Sequence, residues 1–181
     1  MIELKFNPFP TLFTERLILK KIEKSDAQDM YIMRSDKEIM NYIPRPIATT
    51  IADAEHLIET MHAGIENKTS INWGICKKAD NKLVGVVGFV RMNIENYRAE
   101  VGYLLHKDLQ GHGFMHEALQ PIIKYGFEQM QLHTIEAVID PQNVASEKLL
   151  RKNNFVKEAH FRENVFYKGE FLDSVHYTLF N

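Results

Sequence analysis

Three hydrophobic runs in the middle of the chain predict an antiparallel β-meander. They cover residues 71–77, 83–92 and 99–106, and only a few polar residues separate each run from the next. Connections this short join antiparallel neighbours, because a parallel pair of strands needs a long crossover. The middle of the chain is therefore expected to form a continuous sheet.

Other short apolar stretches predict strands on both sides of this meander. Residues 16–22 alternate loosely between apolar and polar positions, and residues 134–139 form a brief hydrophobic run. Near the C-terminus, residues 155–162 and 172–180 are expected to close as a hairpin around Lys168–Gly169.

Polar residues that cap helices mark the first third of the chain. A capping pair precedes a helix predicted over residues 27–34, and a second short helix is expected over 36–42, ending before Pro44. The segment Thr50–Asp53 resembles a capping box with aspartate in place of glutamate. A longer helix should follow it and end near residue 66.

A strongly amphipathic pattern predicts the longest helix, over residues 114–131. Pro121 lies inside this pattern and predicts a kink. A last helix is predicted over residues 145–152. The apolar positions of the long helix recur at three- and four-residue spacing on one face: Met115, Ala118, Leu119, Ile122, Ile123, Phe127 and Met130.

The order of these elements, β-α-α-β-β-β-α-β-α-β-β, indicates an α+β fold. The sheet is expected to be mixed, mostly antiparallel and twisted, with helices on its faces. Strand 99–106, the long helix and strand 134–139 form the natural βαβ crossover at its centre.

The composition fits a single globular domain that spans residues 1–181. Hydrophobic residues make up 45 % of the chain, which is enough for a core. The net charge is −2 and basic residues form no long run, so neither nucleic acid nor a membrane is an expected partner. The single cysteine, Cys76, excludes a disulfide framework and fits a reducing, cytoplasmic location.

The junction between the third meander strand and the long helix carries the candidate chemistry. Residues 105–115 read LHKDLQGHGFM, so a strand ends, two glycines follow and an amphipathic helix begins. Glycines allow a ligand to approach the backbone closely, and the free amides of a helix N-terminus attract anions. The pattern is neither a Walker loop nor a dinucleotide fingerprint. By itself it fits a phosphate site or an ordinary strand-to-helix turn.

Four short motifs occur in an order and spacing that carry a family resemblance. They are Thr14–Leu19 (TERLIL), Ala99–Tyr103 (AEVGY), Gln110–Ala118 (QGHGFMHEA) and Asn143–Ser146 (NVAS). In these motifs the chain resembles the GNAT superfamily of N-acetyltransferases, in the RimJ/RimL-like branch of ribosomal-protein-alanine N-acetyltransferases. It departs from the family pattern at Met115, where a small residue is usual, and at Asn154, which replaces a glycine.

The resemblance implies a GNAT fold in which acetyl-CoA lies between two splayed strands, 99–106 and 134–139. The pantetheine arm would be bound, in the manner of an added strand, by backbone groups of Tyr103, Leu104 and Leu105. The diphosphate would be held by the amides of Gln110, Gly111, His112, Gly113, Phe114 and Met115. Asn143 and Ser146 would face the pantetheine and the thioester from the other side.

The same resemblance supplies candidates for moving protons. Acetyl transfer to an amine needs a neutral nucleophile, a stabilised oxyanion and a proton for the leaving thiolate. Many GNAT enzymes use a tyrosine as the acid, at the position of Leu150 here, whereas the ribosomal-protein branch uses the serine that corresponds to Ser146. As the base we expect Glu100. Structural roles are open for both residues, a helix start for Ser146 and an ion pair for Glu100.

Candidates for contact with the acceptor lie in the first half of the chain. Tyr42 and Arg45 fall between the early helices, which shape the acceptor pocket in this family. Trp73 and Phe89 fit either the core or a wall of that pocket. His112 begins a His-x-x-x-His spacing, but the glutamate of helical zinc motifs is missing, so no metal is expected.

These features predict transfer of an acetyl group from acetyl-CoA to a primary amine. The branch resemblance favours a protein N-terminal α-amine, and a small amine such as a polyamine, amino acid, amino sugar or antibiotic is the alternative acceptor. A non-catalytic acyl-CoA sensor is a second alternative, because expected catalytic side chains are missing. A homodimer formed through sheet edges is compatible with the fold.

Overall fold

The computed structural model describes residues 4–181 and has an eight-stranded sheet at its centre. In chain order the strands are β1 (Leu12–Phe13), β2 (Leu17–Lys20), β3 (Ile71–Lys77), β4 (Leu83–Asn93), β5 (Arg98–Leu105), β6 (Thr134–Ile139), β7 (Val156–Tyr167) and β8 (Glu170–Phe180). Across the sheet the order is β1-β2-β3-β4-β5-β6-β8-β7. Neighbouring strands are antiparallel, except that β5 and β6 run parallel.

Helices connect the strands and cover the sheet. They are α1 (Ala27–Ser35), α2 (Ile51–Glu66), α3 (Phe114–Glu128) and α4 (Val144–Lys152). The path β5-α3-β6 is the crossover that the sequence predicts, because a parallel pair of strands requires such a connection. The mixed sheet and the α+β class are thus confirmed.

Alternate positions along each strand pack into two hydrophobic clusters, one on each face of the sheet. On the face that we call the α1 face, Cys76 and Val86 pack with Met30 of α1 and Ile58 of α2. On the opposite face, the α3 face, the strand residues Ile75 and Val87 pack in one cluster with residues of α3 and α4. The helix residues in this cluster include Leu119, Ile122 and Leu150.

The parallel strands β5 and β6 pair over only three residues. Arg98 to Glu100 lie beside Thr134 to Glu136, and beyond this point the structure records no further pairing between the two strands. The rest of β5 pairs only with β4, on its other side. The sheet therefore opens in its middle, at the position predicted for the splay.

Several element boundaries follow directly from local chemistry. The Thr50 hydroxyl accepts the Asp53 amide at 3.3 Å, and the Asp53 carboxylate accepts the Thr50 amide at 2.9 Å, so the predicted capping box starts α2. After α4, Asn154 adopts φ = 64°, the left-handed conformation that asparagine tolerates better than most residues. This explains how asparagine serves where the family pattern has glycine.

The structure differs from the predicted elements in three places. Residues 37–42 form hydrogen-bonded turns and not a helix, and the Asp36 carboxylate accepts the Glu38 amide at 2.8 Å, a local bond that competes with helix formation. The two-residue strand β1 was not predicted, because it is too short to show a period. The final hairpin is longer than expected, and its second strand, β8, lies inside the sheet next to β6.

Candidate active site

The loop between β5 and α3 is shaped by two glycines in the left-handed conformation. Gly111 has φ = 77° and Gly113 has φ = 80°, and Gly113 is the residue that directly precedes α3. An L-amino acid with a side chain is strained at such angles, which explains why glycine stands at both positions. The turn brings the backbone of the loop around the start of the helix.

The amides of this loop are largely free. Within residues 4–181, no acceptor is recorded for the amides from Gly111 to Met115. The Gln110 amide, however, already donates to the Lys107 carbonyl at 3.1 Å, so its expected part in the phosphate site needs correction. Its side chain instead donates to the Leu105 carbonyl at 3.1 Å and ties the loop to the end of β5.

The space in front of these amides is open and has a cation beside it. Among residues 4–181, a Cβ atom added to Gly111 would meet nothing within 4 Å, and one added to Gly113 would meet only the Arg16 guanidinium, at 3.7 Å. The same guanidinium lies 3.9 Å from the Phe114 ring and donates to the His112 carbonyl at 3.3 Å. Free amides, a helix N-terminus and an arginine form a site that fits a diphosphate.

The open edge of β5 leads from the splay toward this loop. Tyr103 and Leu104 pair with Val87 and Val86 of β4, and their other edge faces the gap toward β6. Leu104 packs on the α1 face and Tyr103 on the α3 face, as alternation requires. An extended chain could add to this edge, as expected for pantetheine.

Two hydroxyl groups meet on the α3 face at the splay. The Asn143 carboxamide oxygen accepts the Ser146 amide at 3.0 Å and caps α4, so the hydroxyl of Ser146 is not needed as a cap. The Tyr103 hydroxyl is buried and has no recorded hydrogen bond within residues 4–181, and Ser146 is the side chain near it that lowers its pKa. Burial raises the pKa of Tyr103 to about 12, and Ser146 opposes this shift only partly.

Glu100 lies at the apex of the splay, on the last residue of β5 that pairs with β6. Arg91 Nε and Nη2 lie 2.7 and 2.6 Å from Oε2 of this carboxylate. Both contacts use the same oxygen atom, and Oε1 has no partner within residues 4–181. The glutamate is therefore ion-paired, as its structural interpretation predicts, while one oxygen stays available.

Comparison with known proteins agrees with this geometry. The sequence profile of the acetyltransferase (GNAT) domain matches residues 16–156. The chain belongs to the GNAT acetyltransferase family.

Individual relatives of this GNAT protein support the assignment. The uncharacterized N-acetyltransferase p20 of Bacillus licheniformis is 35 % identical over 170 residues, covering 93 % of this chain and 95 % of that protein. A GNAT-family acetyltransferase from Bacillus anthracis superposes with a TM-score of 0.85 at 26 % identity, covering 94 % and 98 % of the two chains.

A third comparison concerns a solved structure of lower sequence identity. RimL, described as a ribosomal L7/L12 alpha-N-protein acetyltransferase in complex with coenzyme A, has a TM-score of 0.86 at 18 % identity. The match covers 94 % of this chain and 98 % of RimL. At this identity the likeness shows a common fold.

Two of the residues considered for acceptor contact belong to the core of the GNAT domain. Trp73 and Phe89 are completely buried, and the Trp73 indole donates to the Pro10 carbonyl at 2.6 Å. Trp73 also packs edge-on against Phe89 and Tyr125. Because neither side chain presents surface to a ligand, the alternative of a pocket wall is corrected to a core role.

The other two candidates lie in the turns after α1. Tyr42 is partly buried and Arg45 is exposed. The Arg34 guanidinium donates to the Pro46 carbonyl at 3.3 Å, so the end of α1 meets this loop. Burial lowers the pKa of Arg34, the charge of Arg45 lowers it further, and Tyr167 raises it. Arg45 and the tip of the β7–β8 hairpin thus approach the same arginine, where Arg45 remains a candidate for acceptor contact.

His112, in the loop before α3, and His116, in its first turn, have separate surroundings. His116 Nδ1 lies 3.0 Å from the Asn153 side-chain oxygen, while His112 contributes its carbonyl to the contact with Arg16. Across residues 4–181 no three metal-binding side chains come together. Over the same range, no helix combines the length and apolar character needed to cross a membrane.

Glu117 is the site residue that sequence reasoning missed. It accepts hydrogen bonds from Thr14 and Arg16, and so joins the first motif of the chain to the phosphate loop. Its position within the motif Gly-x-Gly-x-x-x-Glu-Ala was visible in the sequence, but nothing in the spacing shows which distant residues it binds.

Proposed function

We propose that this GNAT domain transfers an acetyl group from acetyl-CoA to an amine, and that the acceptor is the α-amine of a protein N-terminus. The observation that carries the proposal is the free-amide loop beside Arg16, placed at the mouth of the β5–β6 splay. An anion site alone would serve many ligands. Its position at the end of an open strand edge fits a diphosphate continued by an extended amide chain.

Acetyl-CoA, when bound, would supply the thioester that is the acetyl donor. The amides from Gly111 to Met115 and the Arg16 guanidinium would bind the diphosphate, and the free edge of β5 would bind the pantetheine. Each contact orients the donor without chemical change, so these residues act through positioning.

Ser146 would donate a proton to the leaving sulfur. Its hydroxyl is not needed to cap α4, because the side-chain oxygen of Asn143 accepts the hydrogen bond of the Ser146 backbone amide. Tyr103 lies beside it and, with its pKa raised to about 12 by burial, keeps its proton throughout the neutral range. Tyr103 therefore supports Ser146 as a neutral hydroxyl neighbour. Leu150 occupies the position at which many GNAT enzymes carry a tyrosine acid, but a leucine has no proton to donate, and this one is fully buried in the core.

Energetics favour an α-amine over a lysine side chain. An α-amine with a pKa of about 7.7–8.0 costs about 1 kcal/mol to neutralise at pH 7, whereas a lysine at about 10.4 costs about 4.6 kcal/mol. Glu100, the carboxylate predicted as the base, forms an ion pair with Arg91. Because this ion pair engages the carboxylate, the site favours the amine that is easier to deprotonate. The described activity of RimL, an alpha-N-protein acetyltransferase, supports the same acceptor.

The proposal is tested by thiol release from acetyl-CoA with a panel of acceptors. The panel contains peptides with free N-termini, the same peptides with blocked N-termini and a free lysine, and small amines including a polyamine. Turnover confined to free N-termini is the expected result. Preference for a small amine would overturn the acceptor, and tight CoA binding without turnover on any amine would favour the sensor.

A further inference from the structure

A row of polar side chains lies on the α1 face beside the splay. Glu100 of β5 pairs with Glu136 of β6, and Glu136 pairs with Thr178 of β8. His176 lies two residues before Thr178 and therefore points to the same face. Its own partner is Val138, two residues beyond the last β6 residue that pairs with β5.

The opposite sides of the same strands confirm this assignment of faces. Ala99, Val101, Ala137, Val175 and Tyr177 all belong to the hydrophobic cluster of the α3 face. The polar row thus lies on the side of α1 and α2, opposite to Ser146 and Tyr103. A thioester in the gap between β5 and β6 would have Ser146 on one side and this row on the other.

Most charged members of the row are committed to ion pairs. Glu100 binds Arg91, and Glu136 binds Arg98. Glu158 of the neighbouring strand β7 accepts the Thr178 hydroxyl at 2.5 Å. In the described part of the chain, no ion pair is recorded for His176 or Glu158, and Glu158 is engaged by the Thr178 hydroxyl.

The surroundings of His176 hold its ring and leave one nitrogen uncommitted. Nε2 lies 3.2 Å from the hydroxyl of Ser174, which is buried, and the ring packs edge-on against Phe161 with centroids 4.9 Å apart. Residues 4–181 provide no hydrogen bond to Nδ1. If Nε2 carries the proton and donates it to Ser174, the lone pair of the neutral ring is on Nδ1.

The electrostatics around the ring favour its neutral form. Burial lowers the pKa of His176, Glu100 opposes this by raising it, and Arg91 and Arg98 lower it again. Since the ordinary pKa of histidine is about 6.5, the imidazole is neutral at pH 7 and able to accept a proton. Glu136 pairs with Arg98. Glu158 faces the row from β7, where it accepts the hydroxyl of Thr178 of β8.

From this geometry we infer that His176 is the group that takes the proton from the acceptor ammonium. The inference rests on the proposed function. The proton passes from R–NH3+ to Nδ1. This gives R–NH2 and an imidazolium that is still hydrogen-bonded to the Ser174 hydroxyl through Nε2. The nitrogen lone pair then forms the C–N bond, and the C–S bond breaks. The Ser146 hydroxyl gives its proton to the leaving thiolate and takes, through water, the extra proton that the acetylated nitrogen loses, so that neutral CoA thiol and a neutral amide result. His176 returns its proton to water.

Glu100 acts in this account through its charge. Its carboxylate stabilises the imidazolium, while Arg91 has the opposite effect. The two members of one ion pair should therefore shift the pKa of His176 in opposite directions when they are neutralised. If the ion pair had only a structural role, neutralising Glu100 and neutralising Arg91 would change the pKa of His176 in the same way.

The first experiment compares His176→Gln with His56→Gln, an exposed histidine on α2. With the acceptor that wild type uses best, His176→Gln should lower kcat/KM by about 100-fold or more and remove the acid limb of the pH profile. Affinity for CoA should stay unchanged, and His56→Gln should match wild type. A His176→Gln enzyme with wild-type rate and profile would overturn the inference.

The second experiment follows the His176 ring by NMR titration in wild type, Glu100→Gln and Arg91→Gln. We expect a lower pKa in Glu100→Gln and a higher one in Arg91→Gln, with the acid limb of the rate moving likewise. Loss of the acid limb in Glu100→Gln, with His176→Gln normal, would assign the proton to Glu100 instead. If wild type acetylates no amine, the proposed function itself fails; if it turns over and His176→Gln is unaffected, only this inference fails.

Discussion

Arg16 Nε lies 2.6 Å from Glu117 Oε2, and this contact joins the start of β2 to the first turn of α3. The other oxygen of Glu117 accepts the Arg16 amide at 2.8 Å and the Thr14 hydroxyl at 2.5 Å. The carboxylate thus holds the arginine whose guanidinium reaches the phosphate loop. Two motifs that are about a hundred residues apart form one unit of the site.

Glu117→Gln should weaken the binding of CoA. The amide keeps the shape of the side chain but loses the charge that orients Arg16, and a charge-assisted bond contributes roughly 1.5–3 kcal/mol. We expect Kd for CoA, measured by calorimetry, to rise about tenfold. Glu128→Gln, at the exposed far end of the same helix, is the matched control and should leave Kd unchanged. Equal affinities for wild type and Glu117→Gln would remove this clamp from the site.

The same carboxylate should make folding sensitive to acid. Burial alone would raise the pKa of Glu117, but the bonds from Thr14 and Arg16 outweigh it and hold the pKa below its usual value. Its stabilising effect is therefore full above the unfolded pKa of about 4.3 and is lost as pH falls through the lower folded pKa. Denaturant titrations should show a gap between wild type and Glu117→Gln that is constant near neutrality and shrinks below about pH 4. A gap that widens in acid would contradict this.

Gly113→Ala and Gly169→Ala separate backbone strain from ligand binding. Both glycines have positive φ, of 80° and 88°, and neither has crowded surroundings. Each alanine should cost about 1–2 kcal/mol of unfolding free energy through the left-handed conformation. Only Gly113→Ala should also weaken CoA binding, because Gly169 lies at the tip of the β7–β8 hairpin.

A charged side chain at the first of these positions is a stronger test. Gly113→Glu should abolish measurable binding of acetyl-CoA, because it adds a carboxylate in front of the free amides. Unchanged affinity in a folded Gly113→Glu protein would exclude the loop as the phosphate site.

Ser146→Ala should lower kcat by about 10–100-fold while Kd for CoA stays within about twofold. Tyr103→Phe should have a smaller effect on kcat, because it removes only the neighbour of Ser146. Tyr97→Phe, at an exposed position just before β5, serves as the control. If Ser146→Ala turned over at the wild-type rate, protonation of the thiolate would have to come from water.

Leu150→Tyr should restore the tyrosine of the family pattern without restoring its role as an acid. Leu150 is fully buried among the residues of the α3 face, so the larger ring would overpack the core at a cost of about 1–3 kcal/mol. We expect a lower melting temperature and no gain in kcat. A faster enzyme would show that the α4 face can present this side chain to the splay.

Strong local patterns predicted the elements that form the centre of the fold. The boundaries of β3 and β6 agree with the predicted ones, and α3 begins at Phe114 as expected, because a long amphipathic run after two glycines has few other solutions. The helix predicted over 36–42 was wrong, because the Asp36 side chain competes for the backbone amides of that segment. The position of β8 between β6 and β7 is a long-range pairing that periodicity does not encode.

The candidate site was predictable where one contiguous motif forms it. The free amides from Gly111 onward follow from a glycine loop that opens a helix. Contacts between distant segments were not predictable, such as Glu117 with Arg16 or His176 beside Glu100, because side-chain partners depend on which strands become neighbours. Trp73 and Phe89 show the same limit, since sequence alone could not separate core from pocket wall.

The most direct test of the account is a crystal structure of the wild-type protein with acetyl-CoA. The account predicts that the diphosphate oxygens lie within about 2.7–3.2 Å of amides between Gly111 and Met115. It also predicts that the thioester sits in the β5–β6 gap, between Ser146 and His176. A diphosphate bound elsewhere, with the loop empty and the gap closed, would contradict it.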